Sequence, residues 1–153
     1  MGRTTIYRWF GSREQLVGEV VARAAEEVLA QIRAATRGRG AARLVEIFDR
    51  FNRALAGAPA LRAFLDQERD VALRIITSSA GVVTPRMVER IAEIIDEEAR
   101  AGRYDPPVDT ETLALAIVRL AEAFIFNDAR AGIRGDVDRL RAIEAALLRA
   151  PAA

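Results

Sequence analysis

The chain has 153 residues, 51% of them apolar, and a net charge of +1, which suits one domain, or one domain with part of a second, and excludes a surface basic enough to wrap nucleic acid along its whole length. It has no Cys and no His, and all 23 of its basic residues are Arg. These absences exclude disulfides, thiol catalysis, histidine general bases, the commonest zinc ligands and Schiff-base lysines, so an enzyme would be left with carboxylates, hydroxyls and arginine.

Met1–Phe10 shows no apolar stretch behind a basic start, so no signal peptide is expected. Residues Arg3–Glu14 read RTTIYRWFGSRE. Arg3, Thr4, Thr5, Tyr7 and Arg8 crowd hydrogen-bonding groups onto one short segment, while Ile6, Trp9 and Phe10 are placed to anchor it to a core. A DNA recognition helix needs this division, with polar groups turned to phosphates and base edges and aromatics turned inward. Ser12-Arg13-Glu14-Gln15 is a capping-box start. Leu16, Val20, Ala24, Val28 and Ile32 then recur every four residues and predict one buried face on a helix running to about Thr36, where Gly38 and Gly40 break it.

A second helix is expected over about Ala41–Leu55, with Leu44, Ile47, Phe48, Phe51 and Leu55 on one side. Two shorter helices are expected near Ala60–Asp66 and Glu68–Ser78. After a loop at Ser78–Val83, Thr84-Pro85 restarts a helix with Pro at its first position and a stripe of Val88, Ile91, Ile95 and Ala99. Gly102 and Asp105-Pro106-Pro107 stop it. Asp109 caps a helix of roughly Thr110–Ala131 that is apolar nearly all round, as in a buried or interface helix. Leu113–Phe126 is too short to span a bilayer and is interrupted by Arg119 and Glu122. Asp136 caps a last helix bearing Val137, Leu140, Ile143 and Leu147. The fold class is all-α, and a cytoplasmic protein is expected.

Phe48, Phe51, Phe64, Phe124 and Phe126 are candidates for an apolar ligand pocket between helices, with plain core as the commoner place for such residues. Arg119, Glu122 and Asn127 are polar groups on the most apolar helix; the first two, three apart, pair on one face. They either orient a ligand from inside the pocket or form a pair at an interface or its rim. Asp66, Glu68 and Asp70 lack the Gly and the later Glu of a calcium loop and are read as helix caps. Glu93, Asp96, Glu97 and Glu98 are read as a solvated face. No metal site and no cofactor is expected.

The segment Arg3–Glu14 resembles the end of the helix-turn-helix of TetR-family transcriptional regulators, where a Thr-(Leu/Ile)-Tyr-x-x-Phe helix precedes a Pro/Gly-Ser-(Lys/Arg)-Glu helix start. The stretch TPRMVERIAEIIDEEARAGRYDPPVDTETLALAIVRLAEAFIF is similar to the body of that family in its QsdR-like branch. The resemblance implies a ligand-responsive regulator, a repressor in type. It puts Thr5, Tyr7 and Arg13 on backbone phosphates, with Arg3 and Thr4 nearest base edges and Arg8 in the same positive patch. It implies a homodimer joined through the last two helices, operator DNA for the full-length form, and a small apolar or acyl/lactone-like inducer; from the residues themselves, Phe48, Phe51, Phe64, Arg119, Glu122, Phe126 and Asn127 are the candidates to hold it. Residues 1–36 would be a remnant of the DNA-binding domain with its connecting helix, and 37–153 the ligand-binding and dimerisation domain. Two helices that the family places before the recognition helix are absent from the sequence, so weak DNA binding is expected. The alternative is a dimeric ligand-binding or interaction module that does not touch DNA.

Overall fold

The computed structural model describes residues 12–126 and 136–150; the expectations for Arg3, Thr4, Thr5, Tyr7, Arg8 and Asn127 lie outside the described residues. Among the described residues there are seven helices and no strands: α1 (Arg13–Ala35), α2 (Gly40–Gly57), α3 (Pro59–Gln67), α4 (Arg69–Thr77), α5 (Val83–Arg100), α6 (Thr110–Ile125) and α7 (Val137–Leu147). Capping sets three of the starts. Ser12 Oγ accepts from the Gln15 N–H at 3.1 Å, Asp109 from Thr112 at 2.8 Å and Asp136 from Arg139 at 3.0 Å, each satisfying an N–H that has no partner within its helix. Pro59 opens α3, whereas Pro85 is the third residue of α5 rather than its first.

Helix α5 lies along α6, α2 lies along α7, and α1 crosses α2, α4 and α5. Leu44, Ile47 and Phe48 of α2, Ile94 and Ile95 of α5, and Leu113 and Ile117 of α6 form the fully buried centre.

Two expected faces are rotated from those observed. In α1 the buried residues are Gly18, Ala22, Ala25 and Leu29, while Val20, assigned to the buried stripe, is 62% exposed and Ala24 is exposed as well. A strict four-residue step advances about 40° beyond each full turn, so five such residues spread over about 160° and cannot share one face. Mixed steps of three and four hold a face, and small side chains on it let α1 approach its neighbours closely. In α5 the buried face is Met87, Ile91, Ile94, Ile95 and Glu98, with Val88 and Ala99 only half-buried.

The helix read as apolar all round is two-sided in the single chain. Leu113, Ala114, Ile117 and Val118 are buried, and Leu115 is 44% exposed. In α7, Leu140 and Glu144 are buried, followed by Leu148 just beyond it, while Ile143 is 40% exposed. Among the described residues no helix is long and apolar enough to cross a membrane.

Candidate ligand-binding site

Helices α1 to α6 line a cavity of about 60 Å³. It exceeds the space one water needs and is well below the roughly 150 Å³ that holds a benzene ring. Val21 and Ala25 of α1 form one wall, Phe48, Phe51 and Leu55 of α2 another, and Met87 and Ile91 of α5 a third. Three polar side chains among the described residues also line it: Asn52, Thr84 and Glu122.

The structure brings four of the expected ligand residues to this cavity: Phe48, Phe51, Glu122 and Phe126. Two expected residues lie elsewhere. Phe64 is half-buried against the core away from the cavity. Arg119 projects outward into a surface cleft beside Ser79 and Leu115, donating to the Thr77 carbonyl at 2.8 Å and to Glu122 Oε2 at 2.6 Å. The helix turns one member of the Arg119–Glu122 pair out and the other in. Thr84 Oγ1 lies 2.7 Å from Glu122 Oε1 and 2.9 Å from the Ile76 carbonyl, which ties the start of α5 to α6 and to the end of α4.

Asn52 was not anticipated, although the signal was present. It stands four residues after Phe48 and so falls on the apolar stripe of α2. Its Nδ2 donates to Glu144 Oε1 and Oε2 at 3.0 and 3.2 Å. Glu144 is 0% exposed, and its carboxyl is raised to about 7, chiefly by burial, against the lowering effect of the Asn52 hydrogen bond and with the Asp49 charge adding to the rise. Glu144 stands four residues after Leu140, on the buried side of α7, so the last helix presents an acid to the back of the cavity wall.

A second buried carboxylate ties α5 to the start of α2, beside the end of α1. Glu98, assigned to a solvated face, is 1% exposed. Its Oε2 accepts from the Gly40 N–H at 2.7 Å, at the start of α2, and from Arg103 at 2.9 Å, while its Oε1 accepts from Arg43 at 2.9 Å. Arg43 also donates to the Thr36 and Arg33 carbonyls at 3.3 and 3.2 Å, satisfying the open C-terminal end of α1. The Arg103 hydrogen bonds are the largest reason that the Glu98 carboxyl is lowered to about 2, against desolvation, with help from the Gly40 N–H.

Further along α1 the ties are more exposed. Arg86 of α5 reaches Glu19 at 2.7 Å and also Glu26, and Arg90 reaches Glu26 at 3.1 Å. At the N-terminal end Arg13 and Glu68 pair through both carboxylate oxygens at 3.1 Å, and Arg74 pairs with Glu14 at 2.6 Å. Arg13, expected on a DNA phosphate, thus faces a carboxylate here, and Glu68 serves this pair rather than a helix cap. No group of three or more potential metal ligands occurs among the described residues.

The model of the family described as "Tetracyclin repressor-like, C-terminal domain" matches residues 39–149. The chain belongs to this family. It is a ligand-responsive transcriptional regulator of the TetR type. A solved structure of the R. erythropolis transcriptional repressor QsdR, from the TetR family, shares the fold with a TM-score of 0.90 at 24% identity, covering 100% of this chain and 81% of that one. No curated protein matches. TetR-family regulators are not enzymes; they act as homodimers on operator DNA.

Proposed function

We propose that the cavity under α1 is the inducer site and that filling it moves α1, the helix leading toward the DNA-contacting end. The observation that carries this is the composition of the cavity wall, which Val21 and Ala25 of α1 share with Met87 and Ile91 of α5. A six-carbon chain outgrows about 60 Å³, so its entry must push a wall aside. Of the walls, α1 is the one held differently at its two ends. At its C-terminal end Arg43, itself paired with the buried Glu98, donates to the Thr36 and Arg33 carbonyls. The Arg13–Glu68 and Arg74–Glu14 pairs at the other end are exposed, and exposed pairs contribute little. The Arg86–Glu19, Arg86–Glu26 and Arg90–Glu26 pairs along α1 must yield as well, and a swing about Thr36 carries the end held by exposed pairs furthest.

The inducer is a small apolar or acyl/lactone-like molecule, in keeping with the apolar lining. Phe48, Phe51, Phe126 and Glu122 contact it, and Arg119 orients Glu122 from outside. The dimer forms through α6 and α7, where Leu115 and Ile143 stand exposed. Arg3, Thr4, Thr5, Tyr7, Arg8 and Arg13 serve operator DNA, and repression is relieved when the inducer binds.

The test is calorimetric titration and thermal shift with hexyl acetate, N-hexylacetamide and γ-decalactone, on the natural chain and on Ala25→Leu, which fills the cavity from α1. Binding of at least one probe to the natural chain, weakened at least tenfold in Ala25→Leu, supports the site. Binding unchanged by the substitution, or no binding by any probe, overturns it.

A further inference from the structure

The cavity shares wall side chains with two surface clefts. Thr84 lines both the cavity and the cleft between α5 and α6. Hydrogen bonds bar the way there: Thr84 bonds to Glu122 at 2.7 Å, and Arg119 donates to Glu122 at 2.6 Å and to the Thr77 carbonyl at 2.8 Å. On the other side, Leu55, Leu61 and Phe126 line both the cavity and a cleft of about 580 Å³ that Ala56, Gly57 and Val137 also line. These three shared side chains are hydrocarbon, so packing alone keeps the partition shut. They stand at element ends, Leu55 in the last turn of α2, Leu61 in the first turn of α3 and Phe126 just past α6. Helix α3 has nine residues, of which only Leu65 is buried, and no side chain caps its start.

We propose that the inducer reaches the cavity through this second cleft, and that Leu55, Leu61 and Phe126 are the partition that parts to admit it. This rests on the cavity being the inducer site and assigns the route into it; the displacement of α1 belongs to the seated ligand. Opening the Thr84 side would strip partners from Thr84 and Glu122, which are buried, and a buried polar group left unpaired costs more than an ordinary hydrogen bond returns. Parting the apolar side separates hydrocarbon from hydrocarbon, with the ligand's own chain taking the vacated contacts. A short helix with one buried residue also opens locally at lower cost than the long helices of the core.

A residue that only lines a site acts mainly on dissociation, whereas one on the entry route changes association and dissociation together. Line-shape analysis of NMR titrations with N-hexylacetamide gives both rates for the full chain. Gly57 lines the cleft but not the cavity, and a Cβ there meets nothing within 4 Å, so Gly57→Trp narrows the mouth without touching the site. Both rates should fall by about fivefold or more while Kd stays within about twofold. Leu61→Ala thins the partition and should raise the association rate by about threefold or more, which loss of a binding contact would not do. Glu89→Trp, at an exposed position on the α5–α6 cleft, should leave both rates within about twofold of the natural chain. If Gly57→Trp does not fold, Leu61→Ala decides. Exchange slowed by Glu89→Trp and not by Gly57→Trp overturns the route and puts the entrance beside Thr84. An association rate that neither Gly57→Trp nor Leu61→Ala moves also overturns it, and in both cases loss of the probe in Ala25→Leu leaves the inducer site standing. A probe that does not bind, or that binds Ala25→Leu equally well, refutes the site and the route with it.

Discussion

Glu144 and Glu98 are two buried carboxylates of opposite electrostatic character, and pH separates them. Glu144 is raised to about 7 from an ordinary 4.5 by burial between α2 and α7. The fold favours its protonated form, so its contribution is complete below pH 4.5 and is lost as pH rises through 7. The whole span is worth on the order of 3 kcal/mol. Glu98 is lowered to about 2 by the Arg103 and Gly40 hydrogen bonds, so its contribution is complete above pH 4.5 and disappears as pH falls through 2. Urea unfolding across pH 4–8 should show stability declining toward the alkaline side, and Glu144→Gln should flatten that decline. An identical slope in the variant would contradict the assignment of the decline to Glu144. Neither burial was read from the sequence. Glu98 sat in a run with Glu93, Asp96 and Glu97, and only the arrival of Gly40 and Arg43 from distant chain positions, beside the nearby Arg103, singles it out. Asn52 and Glu144 were more accessible, since each falls four residues from a core residue, Phe48 or Leu140. Phe48, Phe51, Glu122 and Phe126 were placed on the cavity by the rule that large apolar groups and lone polar groups on apolar helices mark pockets. The same rule misplaced Phe64 and Arg119, because it ignores which way a helix turns.

At the scale of elements, α1 shows what periodicity conveys and what it leaves out. Its start at Ser12 and its end at the Gly38–Gly40 turn were legible, because capping and chain reversal are local. Its buried face was not, because contact with α2, α4 and α5 selects the small residues Gly18, Ala22 and Ala25 over larger Val20. Two glycines give contrasting expectations. A Cβ at Gly18 would meet Ile75 and Val82 side-chain atoms at 3.7–3.9 Å, ordinary contact, and alanine favours a helix interior by about 0.5–1 kcal/mol. Gly18→Ala should raise the melting temperature by about 1–4 °C. At Gly40, φ is +64° and a Cβ would come within 2.6 Å of the Arg103 carbonyl oxygen. Gly40→Ala should lower stability by more than 1 kcal/mol and loosen the Glu98 clamp. Thermal denaturation of both variants checks the pair, and destabilisation by Gly18→Ala would show that α1 has no room to move against α4.

For the whole molecule, the all-α class followed from the spacing of Gly and Pro and from the lack of period-two runs, and the order of helices was readable because each break is a local signal. How α6 and α7 divide their apolar surface between core and exterior was not, since that depends on which sides α5 and α2 cover. Leu115 and Ile143 are the large apolar groups left outward on those two helices. If α6 and α7 form the dimer interface, Leu115→Glu/Ile143→Glu should sediment as a monomer while keeping its helical circular dichroism. A dimer that persists would move the interface elsewhere. In the dimer a tilt of α1 is amplified by its length. Its 23 residues span about 35 Å, so a tilt of about 5° about Thr36 carries the N-terminal end roughly 3 Å. Two such ends, set for half-sites about 34 Å apart, would lose register with one turn of DNA.

The absence of native cysteine makes that swing directly measurable. A single Gln15→Cys, exposed near the start of α1, carries one spin label per chain, and pulsed electron resonance gives the distance between the two labels in the dimer. A control label at Arg139→Cys, exposed on α7, reports the interface. With saturating N-hexylacetamide the Gln15 distance should change by several ångströms and the Arg139 distance should stay fixed. Bound ligand with both distances unchanged would contradict the account, because the cavity would then be filled without moving the helix that forms its wall.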